Sequence, residues 1–145
     1  PLNSLAQEQS ALVVGHLKLL AYQWSRMERY ASICLADLVQ STSALEPDGG
    51  ELTISAGRAF RDAISTGDGI SSEAHYKGLM KLHDVLMRAG DADGTVSFRN
   101  RLRSCLLAFS RRQTRRDRSW FALSGFDLKP GVLLSLDEMA SEQTA

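Results

Sequence analysis

Apolar residues recur at helical spacing along most of this chain. Leu12, Val13, Leu17, Leu20, Trp24, Met27, Ala31, Cys34, Leu35 and Leu38 follow one another in the rhythm of a single helix face. The pattern predicts one long helix over about 4–40, with Ser4 as its cap and Gln7 three residues on. A helix of that length needs a partner helix along it, from the same chain or another. Gly15 is a weak spot within it. Pro47-Asp48-Gly49-Gly50 reads as a loop. A second helix over about 52–65 presents Ile54, Ala59, Phe60, Ala63 and Ile64, and Thr66-Gly67-Asp68-Gly69 ends it. A third spans about 72–88, with Ser72 and His75 bracketing its first turn and Tyr76, Leu79, Met80, Leu82, Val85, Leu86 and Met87 on its face. Gly90 to Gly94 should break it. A fourth helix, about 97–120, would bury Phe98, Leu102, Leu106, Phe109 and Trp120. Residues 121–145 read as looser, with a short helix from Val132 to Ala140 and a fraying tail. The one candidate strand is Trp120 to Leu123. The expected fold is all-α: one helical bundle domain whose long first helix pairs as a dimer.

Composition supports a folded chain. Its 145 residues are 43% hydrophobic and 23% charged, with three prolines, which suits one domain that buries a core without disulfides or metals. Cys34 and Cys105 each lie in an apolar run and read as thiols of a reducing compartment, so the expected location is cytoplasmic. No apolar run approaches the roughly 20 residues needed to span a bilayer. The formal net charge is zero, but it hides an uneven distribution. Between Arg99 and Arg118 there are eight arginines and one acid, Asp117, while both flanks are acidic.

That basic segment ends in Arg111, Arg112, Arg115, Arg116 and Arg118, with Trp120 close by. Arginine forks suit phosphate and an indole can stack a base, so nucleic acid binding is one reading. The other reading is a solvated helix end that pairs with the chain's own acids. Asp91-Ala92-Asp93-Gly94-Thr95-Val96 resembles the middle of a calcium loop, but its register puts Ala89 and Asn100 at two ligand positions. His75 and His83 have no cysteine or carboxylate at zinc-ligand spacing. No nucleophile elbow, phosphate loop or acid pair stands out, so neither catalysis nor a cofactor is expected. His16 is different in context, because an exposed helical imidazole can accept a phosphoryl group.

Tyr76 to Arg88, with Leu82-His83-Asp84-Val85-Leu86 at its centre, resembles the second dimerisation helix of the HWE class of sensor histidine kinases. Leu123 to Pro130 is similar to the strand and loop that open the ATP-binding domain of that family. The resemblance covers about half the chain. It implies a helical hairpin that pairs with a second copy as a four-helix bundle, docks a receiver domain or other protein, and carries His16 as phosphoacceptor. The chain departs from the family after His16, where Leu17-Lys18-Leu19 replaces an arginine-containing motif, and it shows no asparagine box for ATP. The expected function is therefore a non-enzymatic signalling or interaction module that binds itself or another protein, with nucleic acid binding through Arg111–Arg118 as the alternative.

Overall fold

The computed structural model describes residues 2–125, 127–135, 138 and 139. It is an all-α bundle of five helices: α1 (Leu2–Trp24), α2 (Met27–Thr42), α3 (Glu51–Ser65), α4 (Ser72–Asp93) and α5 (Val96–Trp120). The chain divides into two compact units, Ala31–Arg112 and Pro1–Tyr30 with Gln113–Ala145.

The long helix expected over 4–40 is two helices, and the break is at Ser25–Arg26 rather than Gly15. Side chains supply the reason. The Ser25 hydroxyl donates to the Tyr22 carbonyl at 3.2 Å, and the Arg26 guanidinium reaches the same oxygen while lying 4.3 Å from the Tyr22 ring centroid. The Arg26 amide turns back to Gln23. Local side-chain bonds of this kind give the backbone an alternative to the helical ladder. The helix also begins at Leu2, so Ser4 lies inside its first turn rather than capping it.

In the Ala31–Arg112 unit each helix contributes a stripe at three- and four-residue spacing. Leu38 of α2, Phe60 of α3, Leu79 of α4 and Phe109 of α5 meet in one cluster. Ala56, Leu86, Phe98 and Leu102 form a second. His83 continues the α4 stripe, nearly fully buried and edge-on to Phe60. Burial lowers its pKa below 6.5, against the raising influence of Asp84.

Helix α4 does not stop at Gly90. It continues to Asp93, because Gly90 is buried where Phe98 and Leu102 approach: a Cβ there would sit 3.1 Å from both side chains. The helix then ends at Gly94, whose amide donates to the Gly90 carbonyl. The turn before α3 and the turn before α5 are tied to each other. Gly50 N–H donates to the Asp93 carbonyl and Thr95 N–H to the Asp48 carbonyl, both at 2.9 Å, around an antiparallel bridge between Gly49 and Gly94. A Cβ on Gly49 would meet the Gly94 Cα at 2.5 Å, so that approach requires glycine. The Asp93 carboxylate accepts the Leu52 and Thr53 amides at 2.9 and 3.0 Å, and the Thr53 hydroxyl as well. It thereby caps α3 from a different helix. Thr95 caps α5, with its hydroxyl 2.8 Å from the Asp48 carboxylate and 3.2 Å from the Phe98 amide.

In the other unit the Trp120–Leu123 stretch is no strand: α5 ends at Trp120 and a 3₁₀ turn covers Ala122–Ser124. Another 3₁₀ turn, Pro130–Val132, stands where the last helix was expected to begin. Of that helix, Glu138 and Met139 are helical, and Ser135 and Glu138 exchange the reciprocal bonds of a capping box. Leu136, Asp137 and the tail from Ala140 lie outside the described residues.

The Asp93 cap yields a prediction. Its hydrogen bonds, first that from the Thr53 hydroxyl, hold the carboxyl below its ordinary 3.8. The unfolded chain therefore takes up this proton first as pH falls. The cap's contribution is complete above pH 3.8 and disappears as pH drops through the lower folded value. Asp93→Asn should lower the Tm at neutral pH, and the gap from the parent chain should narrow as pH falls below 3.8. Thermal unfolding followed by circular dichroism checks both.

Candidate docking surface

Helix α1 repeats the stripe pattern of the core helices, but much of its apolar surface faces water. Leu5, Leu12, Val13, Val14, Leu17, Leu20 and Trp24 are all exposed. Val13, Leu17, Leu20 and Trp24 follow at intervals of four, three and four, and retain 58, 60, 59 and 81% of their accessible surface. At 3.6 residues per turn this stripe lies on the side of α1 away from Leu19, Tyr22 and Gln23. Those three face the unit's own interior. Leu19 is buried, Gln23 donates to the Trp120 carbonyl at 3.2 Å, and the Tyr22 ring lies 6.4 Å from that of Trp120. The only charged residues on α1, Glu8 and Lys18, lie off the stripe.

His16 is exposed on the same helix, and its Nδ1 lies 2.9 Å from the Leu12 carbonyl oxygen. A carbonyl can only accept, so in the neutral ring Nδ1 carries the proton and Nε2 keeps its lone pair. That is the nitrogen form a phosphoryl acceptor needs.

The arginine cluster is dispersed. Arg112 Nε donates to Asp37 at 2.9 Å and its fork also holds the Ser41 hydroxyl. The Asp37 side chain is 5% exposed, so Arg112 balances a nearly buried charge. Arg116 is itself buried and bonds to Gln113 at 3.1 and 3.2 Å. Arg118 grips Asp127 with two nitrogens at 2.8 and 3.0 Å, which together with the Lys129 amide pulls that carboxyl down to about 2. Arg111 and Arg115 are exposed one turn apart and form no ion pair with a described residue. Trp120 is already stacked on Tyr30, with centroids 4.3 Å apart, and is not open for a base on that face. Gln113 and Asp117 complete this knot through the Tyr30 hydroxyl.

The calcium-like segment is also spoken for. Asp93 caps α3, Asp91 pairs with Arg103 at 2.8 Å, and Val96 faces solvent rather than a core. Among the described residues no group of three histidines, cysteines or carboxylates converges on a metal position. Neither cysteine forms a disulfide: Cys34 is fully buried, and burial raises the half-buried Cys105 thiol, which donates to the Ser41 carbonyl at 2.9 Å. An open pocket of about 280 Å³ lies beside Phe60, Ile64 and Leu86, with the exposed Arg61–Glu46 ion pair at its mouth. It gathers no acid–base pair. Among the described residues no helix is long and apolar enough to cross a membrane.

The spacing of α1 announced its apolar stripe, but only the structure shows that Val13, Leu17, Leu20 and Trp24 stay exposed among the described residues of their unit. No protein-family model, curated protein or solved structure matches this chain.

The different fates of the arginines give a prediction. Arg112→Ala strands the Asp37 carboxylate and should cost about 2 kcal/mol, less than the roughly 3–5 kcal/mol of breaking a fully buried pair because Arg112 itself is partly exposed. Arg111→Ala and Arg115→Ala should each stay within about 0.5 kcal/mol of the parent chain. Urea titration of the three variants measures the difference.

Proposed function

We propose that this chain is a non-enzymatic helical docking module that binds a protein partner through the apolar stripe of α1. One observation carries the reading: large apolar side chains run the length of a helix and remain in water. A contiguous patch of that kind marks an interaction surface far more often than an accident of folding. A helix exposed along most of its length also gains little stability from its own chain.

His16 extends the proposal toward signalling. It lies on the same helix, its Nε2 free. A phosphorylated receiver domain docking on α1 would find both a surface to bind and a nitrogen to receive the phosphoryl group. That reading joins the docking surface to the resemblance to HWE histidine kinases.

Arg111 and Arg115 favour a second reading, nucleic acid binding, because they are exposed one turn apart and unspent. It is the weaker one, since Arg112, Arg116 and Arg118 are engaged within the chain. If it holds, Arg111→Gln with Arg115→Gln lowers affinity for every duplex alike and flattens the salt dependence.

A photo-crosslinking amino acid at Leu17, introduced in the full chain inside its own cells, tests the docking reading. The expected result is a discrete protein adduct from Leu17 and none from the same probe at exposed Lys81 on α4. No adduct, or equal adducts at both positions, overturns it.

A further inference from the structure

We propose that the partner of α1 is α1 of a second copy of this chain, laid antiparallel about a two-fold axis near residue 15. The inference rests on the docking reading and names its occupant.

The stripe extends toward the N-terminus as Ala6 and Ser10, so Ala6, Ser10, Val13, Leu17, Leu20 and Trp24 step at four, three, four, three and four. This is the seam along which two helices interlock. Its register is symmetric. In an antiparallel pair centred at residue 15, Ala6 faces Trp24, Ser10 faces Leu20, and Val13 faces Leu17. Each small residue meets a large one, which fills the space evenly. A parallel pair would instead set Trp24 against Trp24 and leave Ala6 opposite Ala6. One end would be overfilled and the other empty.

Polar chemistry agrees. The Ser10 hydroxyl already donates to the Ala6 carbonyl at 2.7 Å, so its burial against Leu20 strands no donor. A two-fold interface turns each patch onto its own kind, and a charge close to the axis would meet its like. No seam position is charged; Glu8 and Lys18 lie off it.

The area fits a weak, reversible pair. On the seam, Val13, Leu17 and Leu20 expose on the order of 100 Å² each, and Trp24 about twice that. One chain thus offers roughly 500 Å², below the roughly 800 Å² per partner of a standard stable interface but about 1,000 Å² for the two chains together.

Sedimentation equilibrium of the full chain should show a reversible dimer. Leu17→Asp should weaken it by at least about 100-fold, since both copies bury the change, while its circular dichroism stays that of the parent because Leu17 is exposed in the single chain. Geometry is read separately by oxidation, with the parent chain as control for Cys34 and Cys105. A mixture of Val13→Cys and Leu17→Cys chains should form the crossed disulfide, and neither alone should link. Linking of Val13→Cys chains to each other would overturn the antiparallel arrangement. A parent chain monomeric at every concentration would overturn self-pairing. In that case a protein adduct from the Leu17 probe would leave the docking reading standing, and no adduct would overturn both.

Discussion

The Ala31–Arg112 unit depends on one reciprocal contact, in which two interhelical turns satisfy each other's helix ends. Asp93, at the end of α4, takes the first amides of α3. Asp48, in the turn before α3, accepts from the Thr95 residue that opens and caps α5. A helix start leaves amides without partners, and burying them unpaired costs more than one weak bond is worth. Here each turn supplies the acceptors the other lacks. The Gly49–Gly94 bridge locks the two turns at backbone distance, and this alignment lets Phe98 and Leu102 reach Gly90 and Leu86. The packing of the second core cluster is downstream of the caps.

The same economy governs the charges. Arg112 neutralises a nearly buried Asp37, Arg103 meets Asp91, and Arg118 meets Asp127. A run that looks like a phosphate-binding surface in one dimension is spent along α5 on neighbours from other parts of the chain. The pairs at Asp37 and Asp127, whose carboxylates are nearly buried, contribute little net stability, but removal of the arginine leaves a charge without compensation; the Arg103–Asp91 pair is exposed and matters less. They fix helix positions more than they strengthen them.

Helix α1 inverts this pattern. It carries the three- and four-residue rhythm of the core helices, yet its stripe faces outward while Leu19, Tyr22 and Gln23 turn inward. A surface with uncharged, unspent apolar side chains remains available for recognition. Elsewhere Asp93 and Thr95 close the starts of α3 and α5, and Arg61, Arg88, Arg103, Arg112 and Arg118 are ion-paired.

The sequence by itself determined the helical class and three of the four breaks between the five helices, because period and turn residues act locally. It placed α3 and α5 within a residue of their observed bounds. It missed the Ser25–Arg26 break, which depends on side-chain bonds to the Tyr22 carbonyl, and it ended α4 too early, because glycine's local cost is offset by Phe98 and Leu102 packing onto Gly90. It marked Asp93 as a possible ligand, whereas the tertiary structure makes it a cap on a helix some 40 residues away. It saw the arginines and Trp120 but not Asp37, Asp127 or Tyr30 beside them. Most of all, the α1 stripe was legible as periodicity, but periodicity is the same for a buried face and an exposed one. Which face meets water is set by what the rest of the chain brings against it, and only the tertiary structure decides that.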